Sequence, residues 1–166
     1  MSKAVISLDQ RQLVLQQRQR LMSEHVFDLV RNNNDIAEIR AATTPAIKRE
    51  AMACIPFVEL DLRPCNVDDT KGKAPIFDMI SAYVALALAT APRENREEFI
   101  STAVVFLGKH PESLVIPTIE AICEERVWPA EFVSTVIERI TDKAAKLRQE
   151  LAAYQKIVSL DEGGEA

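Results

Sequence analysis

The segment His110–Ile140 reads HPESLVIPTIEAICEERVWPAEFVSTVIERI and continues without a break into Thr141–Val158. It has the pattern of a shorter helix, a tight turn at Val127-Trp128-Pro129, and one long helix. Pro129 suits the first position of the long helix, because proline has no N–H to lose there and its φ is already helical. This helical pair is the part of the fold that the sequence specifies most strongly.

Apolar side chains recur along the long helix in alternating steps of four and three residues. They are Val133, Ile137, Ile140, Ala144, Leu147, Leu151, Tyr154 and Val158. A heptad seam of this kind is typical of a helix that packs along another helix. About 30 residues would extend roughly 45 Å, which is more than a compact domain of this size requires. We therefore predict a protein interface with another helix of the chain or with a second copy, formed by Val133, Ile137, Ile140, Leu147, Leu151 and Tyr154.

The shorter helix before the turn contains Pro117 within its apolar pattern. A proline inside a helix removes one backbone hydrogen bond and clashes with the preceding turn. The sequence therefore predicts a kink at Ile116–Pro117, and the alternative is that residues 111–116 form a separate single turn. Trp128, the only tryptophan, is predicted to close the core from one end, with a ligand platform as the alternative.

Composition indicates a single globular, all-α domain. The chain has 166 residues, 48% of them hydrophobic, and only four glycines. Its net charge of −5 argues against a surface coated with phosphate-binding residues. Three cysteines without a CxxC pair indicate no disulfide framework and suggest a reducing cytoplasm. Neither a signal peptide nor an uncharged apolar run of membrane-spanning length is recognisable, so we predict a cytoplasmic protein that does not cross a membrane.

The N-terminal region is predicted to be one long helix over residues 8–31. Ser7 and Gln10 fit a capping box at its start, and Asn32-Asn33-Asn34 would end it, because asparagine tolerates the left-handed conformation. Leucine or methionine recurs every seven residues, although glutamines fill several positions that a coiled coil would make apolar. We expect this helix to run alongside the C-terminal helix or to pair with it between subunits.

The middle of the chain is predicted to contain shorter helices around a polar hinge. Residues 36–42 form one helix, and a second begins at Pro45 with Thr44 as its cap and stops before Pro56. Residues 58–63 alternate between apolar and charged, which favours an extended segment packed on the helices. Pro75 opens a nearly all-apolar central helix that Pro92 ends. Residues 93–107 form the next helix, which Gly108 would end in the left-handed conformation.

These elements predict a bundle of six to seven helices with a long, coiled-coil-like C-terminal helix. The expected parts are an N-terminal helical part over residues 1–62, a hinge loop over 63–74 and a C-terminal helical part over 75–158. The last residues, 159–166, are acidic and contain two glycines, so we expect a disordered tail.

Residues that could carry chemistry are scattered. His25, Cys54, Cys65, His110 and Cys123 lack the paired spacing of a zinc site, and the glycine-rich and hydrolase motifs are missing from the sequence. Cys54 and Cys123 lie in apolar helical surroundings and are predicted core thiols, whereas Cys65 in a polar loop is the expected exposed thiol. We predict a protein that is not an enzyme and binds no metal or cofactor; a small helical enzyme is the least favoured alternative.

A modest basic bias marks the first helix. Residues 1–31 contain five Lys and Arg against three Asp and Glu. A solvated helix face explains this bias, and the alternative is nucleic-acid contact through Arg11, Arg18 and Arg20 with glutamines alongside. That alternative requires the three arginines to face solvent together, and it would make binding steeply dependent on salt.

The segment from His110 to Val133 also resembles small helical phage and prophage replication proteins that load the replicative DNA helicase or inhibit its loading. His110-Pro111-Glu112 and Trp128-Pro129-Ala130-Glu131 stand where that family has an aromatic-Pro-Glu helix start and an aromatic-Pro turn followed by Glu. The resemblance covers about 25 of the 166 residues and implies a helicase- or DNA-associated adaptor. The sequence therefore predicts a non-catalytic interaction or regulatory adaptor that binds another protein, itself or both, with a homodimer as one form.

Overall fold

The structure is a computed structural model that describes residues 7–65, 75–87, 93–125 and 131–160. These residues form eight α-helices, together with an isolated bridge between Pro64 and Pro111, which confirms the all-α prediction. In chain order the helices are α1 (Leu8–Met22), α2 (His25–Arg31), α3 (Ile36–Ala42), α4 (Pro45–Asp61), α5 (Pro75–Ala87), α6 (Arg93–Leu107), α7 (Glu112–Glu125) and α8 (Phe132–Ser159).

The prediction of a single helix over residues 8–31 is wrong, because the helix is interrupted at residues 23–24, between α1 and α2. The Ser23 hydroxyl donates to the Arg20 carbonyl oxygen at 2.5 Å, and Glu24 is extended with φ −65° and ψ 143°. A serine that bonds to the backbone of its own helix competes with continued helix formation. The break allows α2 to bury Phe27 and Val30 independently of the direction of α1.

A second correction concerns α4, which passes through Pro56 and reaches Asp61. The predicted stop before Pro56 and the extended segment after it are both wrong. Ala51, Cys54 and Val58 recur at helical spacing and are all buried. Pro56 itself is exposed, so water can reach the side of the helix where the proline supplies no N–H.

The predicted starts of α1 and α4 are confirmed, whereas the predicted left-handed conformation of Gly108 is wrong. Ser7 and Gln10 form the capping box of α1, and Thr44 Oγ1 accepts from the Ile47 N–H at 3.2 Å at the start of α4. Asn33 adopts a left-handed φ of 51°, as asparagine tolerates. α6 ends at Leu107, directly before Gly108, as predicted, but Gly108 is not left-handed, since no glycine in the described ranges has a positive φ.

The chain divides into two compact units, and the division does not follow the predicted hinge. One unit comprises Met1–Val58 and Gln149–Ala166, and the other comprises Glu59–Arg148. α8 therefore contributes its last eleven residues, 149–159, to the first unit and the remainder to the second. The prediction placed all of α8 with the C-terminal part because no local signal marks where a long helix changes its packing partners.

The first unit is built from α1 to α3, most of α4 and the end of α8. Buried side chains come from each of these elements: Leu21, Val26, Phe27, Ile39, Ala51, Cys54, Tyr154 and Ile157. Leu160 is also buried, and its carbonyl oxygen accepts from Arg40 Nη2 at 3.0 Å. The predicted disordered tail is therefore wrong at Ser159 and Leu160, while residues 161–166 lie outside the described ranges.

The second unit packs α5, α6, α7 and the first part of α8 around one apolar core. Tyr83 stacks on Phe132 with ring centroids 4.1 Å apart, and Phe99 lies 5.9 Å from Phe132. α7 is a single helix through Pro117, so the alternative of a separate turn is wrong. The remaining core side chains are Ile76, Ile80, Val84, Ala103, Leu107, Val115, Ile119, Ile122, Val136 and Ile140.

Candidate interaction surface on α1 and its buried anchor

α1 combines three exposed leucines with one buried arginine. Leu8, Leu13 and Leu15 are 78%, 64% and 49% exposed, whereas Arg18 is only 6% exposed. Leu8 and Leu15 are seven residues apart and therefore share one side of the helix. Single exposed leucines are common, but three on one 15-residue helix that also buries a charge are not explained by packing among the described residues.

A buried ion pair anchors α1 within the first unit. Arg18 Nε donates to Glu150 Oε1 at 2.8 Å, and Arg18 Nη2 donates to Glu150 Oε2 at 2.9 Å. The Tyr154 hydroxyl donates to Glu150 Oε1 at 2.8 Å. Tyr154 also packs edge-on against Phe27 with ring centroids 5.6 Å apart. This two-point guanidinium–carboxylate geometry fixes the rotation of α1 about its axis and so determines which residues face outward.

Burial keeps the groups next to this ion pair in their neutral forms. Removal from water raises the pKa of Tyr154, and its hydrogen bond to Glu150 raises it further. Burial likewise raises the pKa of the Cys54 thiol, with Arg18 opposing the effect and Glu150 adding to it. A thiol and a phenol that hold their protons serve packing and hydrogen bonding rather than nucleophilic chemistry.

The three arginines predicted to contact nucleic acid do not lie together on an exposed face. Arg18 is buried against Glu150, as described above. Arg20 is exposed but forms ion pairs with Glu50 and, at 3.8 Å, with Glu24. Arg11 is exposed. The condition set for direct DNA binding by this trio is therefore not met, because one of the three guanidinium groups is turned into the fold.

The residues predicted to form the α8 interface differ in how far the rest of the chain buries them. Ile140 and Tyr154 are buried by other helices of the same chain, so they are not available to a second copy. The other four are half-buried: Val133, Ile137, Leu147 and Leu151. Phe132 and Val136 are fully buried although the heptad omitted them, because the covered face of this part of α8 advances in steps of four residues.

An open groove of about 410 Å³ lies between α7 and α8 in the second unit. One wall is α7, which contributes Ser113, Leu114, Pro117, Thr118 and Ala121, and the other is α8, which contributes Arg139 and Lys143. Arg139 forms a two-point ion pair with Glu125, with distances of 3.0 and 2.6 Å. Sequence reasoning did not identify this groove, because it depends on the pairing of two helices that periodicity alone does not align.

The predicted exposed thiol is wrong, because Cys65 is 5% exposed. Its Sγ lies 3.5 Å from the His110 carbonyl oxygen and 3.7 Å from that of Leu107. Burial raises the pKa of Cys65 to about 12. The backbone N–H of Cys65 donates to the His110 carbonyl at 3.1 Å, so the start of the predicted hinge is tied to α7.

No group of three or more His, Cys, Asp or Glu residues arranged to hold a metal ion occurs in the part of the chain that the structure describes. Among the helices in that part, none is both long and apolar enough to cross a membrane. Trp128 and Pro129, and with them the predicted turn, lie outside the described ranges. No family model, curated protein or solved structure matches the chain.

Proposed function

We propose that the protein is a non-catalytic, cytoplasmic interaction adaptor and that its partner docks on the outward side of α1. The observation that carries the proposal is the exposure of Leu8 and Leu15, which share one side of a helix whose orientation is fixed by the Arg18–Glu150 pair. Exposed apolar residues within a polar surface are typical of protein-binding sites. A rigidly held helix also loses little conformational entropy when it binds.

The proposed partner is a component of DNA replication, namely the replicative DNA helicase of the host cell or of a phage. This assignment rests on the resemblance of residues 110–133 to small phage and prophage replication proteins. It is supported by the helical course of α7 and α8 on either side of the predicted turn.

The test is site-specific photocrosslinking in the native host with benzoylphenylalanine in place of Gln12, which lies between Leu8 and Leu15 on the same side of α1. We expect one discrete protein adduct, which mass spectrometry would identify as the helicase. The double change Leu8→Asp and Leu15→Asp should remove the adduct, because it places two charges in a contact that is apolar in the complex.

The matched control is Leu13→Asp with Gln17→Asp, which adds the same charge to exposed positions of the same helix away from the side of Leu8 and Leu15. Equal loss of the adduct in both variants would contradict docking through Leu8 and Leu15. An adduct with a protein other than the helicase would refute the replication assignment, and a salt-sensitive adduct with DNA would favour the nucleic-acid alternative.

Self-association through α8 is a second element of the proposal. It is supported by the half-buried apolar side chains Leu147 and Leu151, which retain surface that a second copy could cover. Sedimentation velocity over a hundredfold concentration range should show a dimer that the change of both leucines to Asp dissociates. If the unmodified chain remains a monomer throughout, the homodimer is wrong while the α1 adaptor role remains to be judged by crosslinking.

A further inference from the structure

We propose that the α7–α8 groove binds a short extended acidic segment of a partner protein with the pattern Glu-X-Glu, where X is apolar. This inference deepens the adaptor function proposed above by giving it a second, chemically distinct docking site. The groove lies entirely in the second unit, and α1 belongs to the first. A protein with two such surfaces can contact two partners, or two parts of one partner.

The charge of the groove differs from that of the whole chain. The net charge is −5, yet the only ionisable side chains lining the described groove are those of Arg139 and Lys143. Lys143 is exposed and has no ion-pair partner among the described residues. A cationic wall on an acidic protein favours an anionic guest by charge complementarity.

The spacing of the two cations specifies the guest further. Arg139 and Lys143 are four residues apart on α8, which separates them by about 6 Å along the helix axis. Alternate residues of an extended chain lie about 6.6 Å apart and point to the same side. Two carboxylates separated by one residue therefore match the two cations.

The α7 wall suits the opposite side of such a segment. Leu114, Pro117 and Ala121 give it apolar character, so the intervening residue X of the guest would contact them. Pro117 has no N–H, so the Ser113 carbonyl does not receive its usual helical hydrogen bond from residue 117. Both residues line the groove, and a backbone N–H of an extended guest is the natural donor for such an acceptor.

One of the two cations, Arg139, already binds a carboxylate: it forms an ion pair with Glu125, which is not among the residues that line the groove. The hydrogen bond from Arg139 lowers the pKa of Glu125, so this carboxylate stays charged. Both side chains remain partly exposed, at 50% and 38%. A guest carboxylate can therefore exchange with Glu125 at Arg139, while the second guest carboxylate gains a new partner in Lys143.

The test is fluorescence anisotropy with the full chain and a fluorescein-labelled peptide, Gly-Ser-Glu-Leu-Glu-Ser-Gly. The comparison peptide has both glutamates replaced by glutamine. We expect saturable binding of the acidic peptide, at least tenfold weaker binding of the glutamine peptide, and a loss of at least tenfold in affinity for Lys143→Glu. Ala121→Phe, which fills the groove without changing its charge, should weaken binding to a similar extent.

Lys146→Glu is the matched control, because Lys146 is exposed on α8 one turn further on and does not line the groove. It should change affinity by less than twofold. The inference is overturned if the acidic peptide shows no saturation up to millimolar protein, if Lys143→Glu and Lys146→Glu weaken binding equally, or if single-stranded DNA displaces the peptide at lower concentration than unlabelled peptide does. Circular dichroism confirms that each variant is folded.

The Leu8→Asp, Leu15→Asp variant separates this inference from the proposed function. It should bind the acidic peptide as the unmodified chain does, because α1 and the groove belong to different units. Normal α1 crosslinking without peptide binding would refute the groove alone. Peptide binding without α1 crosslinking would refute the α1 adaptor surface alone.

Discussion

The buried pair of Arg18 and Glu150 offers a quantitative test of how α1 is held. The side chains are 7% and 15% exposed and share two hydrogen bonds. We consider Arg18→Met, Glu150→Gln and the double variant. Glutamine keeps an oxygen for the Tyr154 hydroxyl, so the cycle removes the charges without leaving that donor unpaired.

Each single change leaves one buried charge without its partner, which typically destabilises a protein by 3–5 kcal/mol. We expect about 3 kcal/mol for each, at the low end, because Glu150 retains some exposure and the Tyr154 hydroxyl. The double variant buries no uncompensated charge and should lose less than either single variant rather than about 6 kcal/mol, a coupling of at least about 3 kcal/mol. For a chain of this size, about 3 kcal/mol corresponds to a fall in melting temperature of about 6–12 °C.

The assay is urea unfolding followed by circular dichroism, with hydrogen exchange of the α1 amides as a local readout. The local readout is needed because a chain of two compact units need not unfold in one two-state transition. The same cycle at Arg139 and Glu125 is the control, since that pair has the same two-point geometry on the surface; its coupling should be far smaller because water screens it. The anchoring role would be refuted if the loss of unfolding free energy in the double variant equals the sum of the losses in the two single variants to within about 0.5 kcal/mol.

Three further outcomes are expected. Cys65 should react with a thiol reagent at pH 8 at least about a hundredfold more slowly than an ordinary thiol, because its pKa of about 12 leaves little thiolate. The free energy of unfolding that this thiol contributes should be fully present below the pKa of the thiol in the unfolded chain. It should be lost as the pH rises from there toward 12. The pKa of Glu125, measured by NMR titration, should be below its ordinary value and should return to it in Arg139→Gln. The stability that this carboxylate contributes is therefore present above its pKa in the unfolded chain. It is lost as the pH falls through the lowered pKa of the folded chain. Asn33→Ala should lower the free energy of unfolding by about 1 kcal/mol in urea titrations, because alanine tolerates the φ of 51° less well than asparagine does.

Local signals in the sequence predicted the helix starts well. Ser7 with Gln10, and Thr44 with Pro45, are short-range patterns whose hydrogen bonds close within three residues, so no distant contact can easily override them. Breaks and continuations were predicted less well. Pro56 does not stop α4, because the burial of Ala51, Cys54 and Val58 outweighs one lost backbone bond.

The candidate site was the hardest part to predict, because its essential contact joins residues 132 positions apart. The sequence placed Arg18 on a solvated helix face or, as the alternative, on a nucleic-acid surface. Both interpretations follow the rule that charges are exposed, and both are wrong for Arg18 because Glu150 neutralises it inside the fold. Tyr154, four residues after Glu150, is the one local sign that the carboxylate has a buried partner.

α8 shows why a regular seam in sequence does not identify its partner. A strict heptad implies one companion along the whole helix, but the covered face is divided between two units. In the second unit the buried positions are Phe132, Val136, Ile140 and Ala144, and each step of four residues turns the face by about 40°. Beyond Gln149 the buried positions restart at Ala153 and Tyr154 against different helices. The heptad pattern combines the residues of these two buried faces. It therefore predicts that α8 packs against other helices, but it does not indicate which helices these are.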